Sequence, residues 1–116
     1  PLKSLNMAGV PLTASSDAPV EDPDPIISIY SAVTRKMANG KVFPGANQIS
    51  AYDALRMHNL GGAYASFQEG SRGSIESGKL ADLVLLTKDP TSIEPEEIKD
   101  IQVALTMVGG TIAWES

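Results

Sequence analysis

The chain of 116 residues contains no cysteine, and this absence is the first limit on its chemistry. Without thiols it has no disulfide, no thiolate metal ligand and no cysteine nucleophile. It has one histidine, no run of basic residues, and no apolar stretch of the roughly 18 to 20 residues that span a bilayer. A net charge of −5, with 42% apolar and 20% charged residues, is typical of a soluble globular protein that binds neither nucleic acid nor anionic membrane.

A loop punctuated by glycines and followed by an apolar run is the most distinctive stretch of the sequence. Residues 73–86 read Gly-Ser-Ile-Glu-Ser-Gly-Lys-Leu-Ala-Asp-Leu-Val-Leu-Leu. The unbroken run from Leu83 to Leu86 predicts a strand that is covered on both faces. Asp82 is expected to accept backbone N–H groups where this strand begins. The dipeptide Gly78-Lys79 lacks the other residues of a phosphate-binding loop, so it does not predict one.

A second motif lies near the start of the chain. The segment Val10 to Ser15 predicts a short strand, and Ser16-Asp17-Ala18-Pro19-Val20 follows it. With the stretch at residues 73–86, this motif resembles the C-terminal end of the amidohydrolase superfamily of metal-dependent hydrolases, in the branch with Ser-Asp-Ala-Pro at the last barrel strand. The resemblance covers almost the whole chain, and the two motifs occur in the order that the family has.

The resemblance implies an α/β fold made of two parts. Residues 1–70 would be the last β/α unit of a TIM-like (β/α)₈ barrel with its following helices, and residues 71–116 the C-terminal strands of the small β-sandwich, or composite, domain. A complete barrel takes about 250 residues, so we expect the chain to be a C-terminal fragment of a longer enzyme. The strand at Val10 to Ser15 would then lack both neighbours, and we expect it to be disordered or to pair with a second copy or another chain.

The resemblance also implies a chemistry. In this superfamily a divalent metal, here expected to be zinc, activates water to hydrolyse a non-peptide C–N bond of a small-molecule substrate. Asp17 matches the last-strand aspartate that touches the metal and moves a proton from the water to the leaving group, so it is both the catalytic and the metal-binding candidate. The other ligands are not in this chain, which we therefore expect to bind no metal and to be inactive alone. A homo-oligomer and a cytoplasmic location are further expectations.

One other interpretation stays open. The chain could be a non-catalytic structural or oligomerisation domain, which an independent start codon just before Pro1 would favour. An upstream His-x-His on a predicted strand would favour the enzyme. A serine hydrolase built on Ser16 has less support, because His58 lies far along the chain with no recognisable acid partner. We expect His58 to be a helix cap or a packed ring.

Helix signals occur at four places. A helix ending at Gly9, one starting with Asp24 as N-cap and reaching Gly40, one capped by Ser50 with Asp53 in its first turn, and a short one at Gly61 to Phe67 capped by Asn59 are predicted. The small residues at 61–63 allow a neighbouring backbone to approach closely. An acidic helical turn is predicted at residues 94–97.

The end of the chain predicts a β-hairpin. Two apolar segments, Ile101 to Val108 and Thr111 to Glu115, flank Gly109-Gly110, which is a two-residue turn signal. In that register Leu105 faces Trp114 and Met107 faces Ile112. These four side chains, packed on Leu83 to Leu86, are the predicted core, with Trp114 as its anchor.

Overall fold

The computed structural model describes residues 1–37, 39–45 and 47–116. Its helical segments are α1 (Leu2–Met7), α2 (Pro25–Thr34), α3 (Ala51–Arg56), a π-helical turn (Met57–Gly61), α4 (Gly62–Ala65) and a 3₁₀ helix (Pro95–Asp100). Its strands are β1 (Leu83–Leu86), β2 (Val103–Val108) and β3 (Thr111–Glu115). No helix within these residues is long and apolar enough to cross a membrane.

Helix α2 starts where the sequence predicts and ends earlier. The Asp24 carboxylate accepts the N–H of Ile26 at 2.8 Å, and Pro25 occupies the first turn, where its missing N–H costs nothing. The predicted end at Gly40 is wrong, because Arg35 takes a left-handed conformation (φ 54°) and stops the helix. Lys36 then pairs with Val42 in a narrow loop. The predicted helical stretch includes Ala38, which lies outside the described residues.

Helix α3 begins at the predicted capping motif and continues further than predicted. The Ser50 hydroxyl accepts the N–H of Asp53 at 3.0 Å and donates to its carboxylate at 2.7 Å. The short helix predicted at Gly61 to Phe67 is observed as α4 (Gly62–Ala65), but its predicted cap is wrong, because Asn59 lies inside the π turn that joins α3 to α4. The packing of this continuous helical segment outweighs the preference of Asn59 for a cap position.

The three strands form an antiparallel sheet in the order β1-β2-β3. The bounds of β1 and the hairpin at Gly109-Gly110 are as predicted, and both glycines have positive φ. Next to the turn, Met107 pairs with Ile112 as predicted. Beyond it the register shifts, so that Thr106 and not Leu105 lies opposite Trp114. A β-bulge of this kind inserts one residue into a strand, and turn chemistry alone does not signal it.

The core lies between helices, away from the predicted position. Its buried members are Ile26, Ile29, Ile49, Ala54, Met57, Ile98 and Ile101. The 3₁₀ helix packs against α2, and Ile98 is only 1% exposed. The predicted core in the sheet is wrong for this chain, because a single layer of three strands cannot bury the side chains on both of its faces. The division at residue 70 stays a prediction, although core residues come from both sides of it.

The segment Val10 to Ser15 does not form a strand. A lone strand has no ladder partner for its N–H and C=O groups, and so the extended segment takes other hydrogen bonds. Leu12 and Ala14 nevertheless pack against the core cluster. The segment is therefore attached to the helical half of the molecule.

The fluorescence of Trp114 can show whether this face of the sheet is exposed in solution. Its side chain is 49% exposed, so the prediction that it anchors the core is wrong for this chain. As the single tryptophan, it reports alone in fluorescence. We expect an emission maximum shifted towards that of tryptophan in water and ready quenching by acrylamide. A blue-shifted emission that acrylamide cannot reach would mean that something covers this face.

Candidate active-site loop

Asp17 lies in an exposed loop directly after the extended segment. Its backbone is left-handed (φ 52°), a conformation that aspartate tolerates better than most residues because its short polar side chain can hydrogen-bond locally. The N–H of Asp17 donates to the Ser15 hydroxyl at 3.1 Å, and its carbonyl accepts the N–H of Val20 at 2.9 Å. Within the described residues its carboxylate has no hydrogen bond or ion pair. Both carboxylate oxygens are therefore available to a ligand.

Two other carboxylates of this loop already have structural partners. Asp22 accepts the N–H of Asp24 at 2.9 Å, and Asp24 caps α2. Across residues 1–37, 39–45 and 47–116, no three histidine, cysteine, aspartate or glutamate side chains lie close enough to hold a metal ion. Glu21 is also exposed and has no partner among the described residues, so the sequence motif, and not the geometry, singles out Asp17 as the candidate ligand. The residues described do not by themselves fit a catalytic metal site, which takes about three protein ligands.

Ser16 and His58 are not brought together. The Nε2 atom of His58 lies 3.1 Å from the hydroxyl of Ser28 on α2, so the ring links the π turn to that helix. The prediction of a packed ring is confirmed. Since no carboxylate of the described residues contacts the other ring nitrogen, the Ser28–His58 pair lacks the third group that orients the histidine of a catalytic triad.

Burial gives His58 a measurable pH dependence. Desolvation lowers the pKa of the imidazole below its ordinary value of 6.5, because the charged form is less well solvated inside the protein. Above about pH 6.5 the ring is neutral in both the folded and the unfolded chain. As the pH falls below that value, the unfolded chain takes up the proton first, so stability is lost until the folded pKa is reached.

We therefore expect the midpoint of urea unfolding to fall between pH 7 and pH 5, and to fall much less in His58→Gln. The carboxyls with lowered pKa, such as Glu76 and Glu96, lose their contribution only at more acid pH. The small part of this loss that begins near pH 5 is the same in the wild-type chain and in His58→Gln, so the difference between the two reports His58. An equal decline in the wild-type chain and the variant would contradict the assignment to His58.

Asp82 holds the sheet end of the chain together. Its Oδ1 accepts the N–H of Gly109 at 2.8 Å, and its Oδ2 lies 3.6 Å from a guanidinium nitrogen of Arg72. The N–H of Gly110 donates to Ala81 at 3.0 Å. The prediction that Asp82 satisfies a backbone N–H at the strand start is confirmed, and the donor comes from the hairpin turn.

Gly61 lies where the extended segment crosses the π turn. A Cβ added to this glycine would lie 2.1 Å from the carbonyl oxygen of Leu12 and 3.2 Å from the Cα of Thr13. The predicted close approach at the small residues is confirmed. The sequence did not indicate which backbone would approach, because that contact joins residues far apart in the chain.

Two grooves flank these elements. One, of about 360 Å³, lies between residues 9–12 and the α3–α4 segment, with Arg56 and Tyr64 on its wall. The other, of about 790 Å³, lies between the helices and the sheet and includes His58 and Arg72. Asp17 lines neither groove.

Comparison with known proteins identifies the family. A sequence profile described as "Amidohydrolase family" matches residues 1–113. The chain belongs to the amidohydrolase family. The resemblance carried by the two motifs is thereby confirmed. Individual relatives of this amidohydrolase chain are also known.

Two relatives are about one-third identical to the amidohydrolase chain. YtcJ of Bacillus subtilis (strain 168), whose name marks it as a candidate amidohydrolase, is 34% identical over 116 residues, covering 97% of the chain and 22% of YtcJ. The N-substituted formamide deformylase of Arthrobacter pascens is 34% identical over 115 residues, covering 99% of the chain and 21% of that enzyme. The chain thus spans about a fifth of the length of these relatives.

A solved structure supports the fold. The crystal structure of an amidohydrolase from Thermotoga maritima MSB8 superposes with a TM-score of 0.68 at 22% sequence identity, covering 97% of this chain and 25% of that one. At this identity the likeness concerns the fold alone. The predicted α/β class is confirmed in this coarse form.

Proposed function

We propose that these 116 residues are the C-terminal part of a metal-dependent amidohydrolase that hydrolyses a non-peptide C–N bond of a small molecule. The observation that carries the proposal is family membership together with the exposed Asp17 carboxylate on the Ser-Asp-Ala-Pro loop. The chain would supply the end of a barrel (residues 1–70) and part of a small β-sandwich (residues 71–116). The share of the relatives that it spans, about a fifth, supports this proposal.

In the proposed enzyme Asp17 is both a metal ligand and the proton carrier. Asp17 would be one ligand of a divalent ion, which we propose to be zinc, and the chemistry that such an ion would supply is a water whose pKa is close to neutral. The Asp17 carboxylate would accept a proton from the attacking water and return it to the leaving nitrogen. A carboxylate suits this role because a nearby cation keeps it ionised while one oxygen stays free to accept a hydrogen bond. The remaining ligands belong to the rest of the proposed enzyme.

The substrate class proposed is an amide that is not a peptide. The relative from Arthrobacter pascens is named as a deformylase of N-substituted formamides, and such compounds are the first to assay. The decisive experiment is to express the full-length gene product and measure bound metal and hydrolysis of N-alkyl formamides. Metal at one or two ions per chain with release of formate supports the proposal. A gene that starts just before Pro1 and encodes no further histidines would overturn it in favour of a structural domain.

The isolated 116-residue chain is expected to behave differently from the full-length protein. With one histidine and one suitably placed aspartate it cannot supply the roughly three ligands of a catalytic site. We expect it to retain less than about 0.1 zinc per chain after dialysis and to release no formate, because only a complete set of ligands binds zinc tightly. Stoichiometric zinc in the isolated chain would contradict this ligand count.

A further inference from the structure

The segment that leads into Asp17 is attached to the π turn through a single carbonyl oxygen. The Met57 carbonyl accepts the hydroxyl of Thr13 at 3.3 Å and the N–H of Ala14 at 3.4 Å. A carbonyl oxygen has two lone pairs and can accept both donors. π turns are uncommon in helices and occur frequently at functional sites.

A second contact fixes the same segment from the other end of the π turn. Gly61 has ordinary helical angles (φ −60°, ψ −46°), so the backbone conformation does not require a glycine at this position. It is required by space, because a Cβ would lie 2.1 Å from the Leu12 carbonyl oxygen. Leu12 and Ala14 also pack on the core cluster. Residues 12–14 are thus held at two points, and Ala14 lies three residues before Asp17.

We propose that the π turn positions the Asp17 carboxylate and that Thr13 is a positioning residue for it. The inference rests on the proposed function, in which Asp17 is the proton carrier. Strand pairing would hold a barrel strand through its backbone, whereas the Thr13 hydroxyl adds a side-chain contact to the surrounding helical layer. A small displacement of residues 12–14 would move the loop that begins at Ser15, and a misplacement of about 1 Å in a catalytic group can cost on the order of 100-fold in rate.

The test compares two replacements of Thr13 in the full-length protein. Thr13→Val keeps the shape and removes the hydroxyl, while Thr13→Ser keeps the hydroxyl and removes a methyl group. With an N-alkyl formamide as substrate, we expect kcat to fall about ten-fold in Thr13→Val, with KM and bound zinc within two-fold of the wild type. Thr13→Ser is expected to stay within two-fold throughout. Thr91→Val, which removes a hydroxyl bonded to Asp89, is the matched control and should leave kcat unchanged.

A second readout is independent of the substrate. Hydrogen exchange at the Ala14 amide reports whether its bond to Met57 persists, and we expect about ten-fold faster exchange in Thr13→Val and wild-type exchange in Thr13→Ser. The inference would be overturned by unchanged exchange in Thr13→Val. It would also be overturned if kcat fell equally in Thr13→Val and Thr13→Ser. Full turnover in Thr13→Val beside an inactive Asp17→Asn would overturn it while leaving the proposed function intact. Full turnover in both variants would overturn the two together.

Discussion

Gly61→Ala is expected to destabilise the chain by about 3 kcal/mol, at the upper end of what overpacking usually costs. The added methyl group would lie 2.1 Å from the Leu12 carbonyl oxygen. That atom belongs to the backbone, so no side-chain rotation can relieve the overlap, and the extended segment must separate from the π turn. The measurement is the free energy of unfolding from urea denaturation of the 116-residue chain.

The neighbouring glycine provides a matched control for this result. A Cβ on Gly62 would meet only the Thr13 hydroxyl at 4.0 Å, which is an ordinary contact. Since alanine is favoured over glycine in a helix by roughly 0.5–1 kcal/mol, Gly62→Ala should be neutral or stabilising. If the two alanine variants were equally stable, the crossing of the extended segment over Gly61 would be wrong.

Asp17→Asn in the full-length protein is expected to reduce turnover by roughly 10² to 10⁴-fold, the contribution of a positioned acid–base group. Asparagine keeps the shape of the side chain and also tolerates the left-handed backbone at this position. It cannot accept and return a proton. Because the carboxylate is exposed and has no partner within the described residues, the free energy of unfolding of the isolated 116-residue chain should change by less than about 0.5 kcal/mol.

Glu21→Gln is the control for the loss of charge at Asp17. Glu21 lies exposed on the same loop, and the same negative charge is removed without touching the proposed proton carrier. We expect its turnover to match the wild type. Normal turnover in Asp17→Asn would make Asp17 a structural loop residue. An equal loss of turnover in Asp17→Asn and Glu21→Gln would indicate that the negative charge of the loop matters, and not a proton transfer by Asp17.

The sequence predicts the local features well because their causes lie within a few residues. Asp24 and Ser50 cap their helices through side-chain oxygens that reach N–H groups two or three residues ahead. Gly109-Gly110 forms the predicted turn because both positions require positive φ. The two family motifs are equally local, and each can be read from consecutive residues.

Features that depend on distant parts of the chain escaped these patterns. Trp114 has an apolar neighbourhood in the sequence, but a bulge changes its partner and half of its side chain is exposed. The core forms where the 3₁₀ helix meets α2, a contact between segments about 70 residues apart. No periodicity within either segment specifies that pairing.

By itself, the sequence determined the N-caps at Asp24 and Ser50, the hairpin turn, the β1 strand and the family, and it singled out Asp17 as the candidate site residue. Only the tertiary structure decided that residues 12–14 cross the π turn at Gly61 and that the Met57 carbonyl holds them. The physical reason is range. Caps and turns are decided by hydrogen bonds between near neighbours, whereas the position of the Asp17 loop depends on packing between residues more than 40 positions apart, where burial and close approach outweigh local preference.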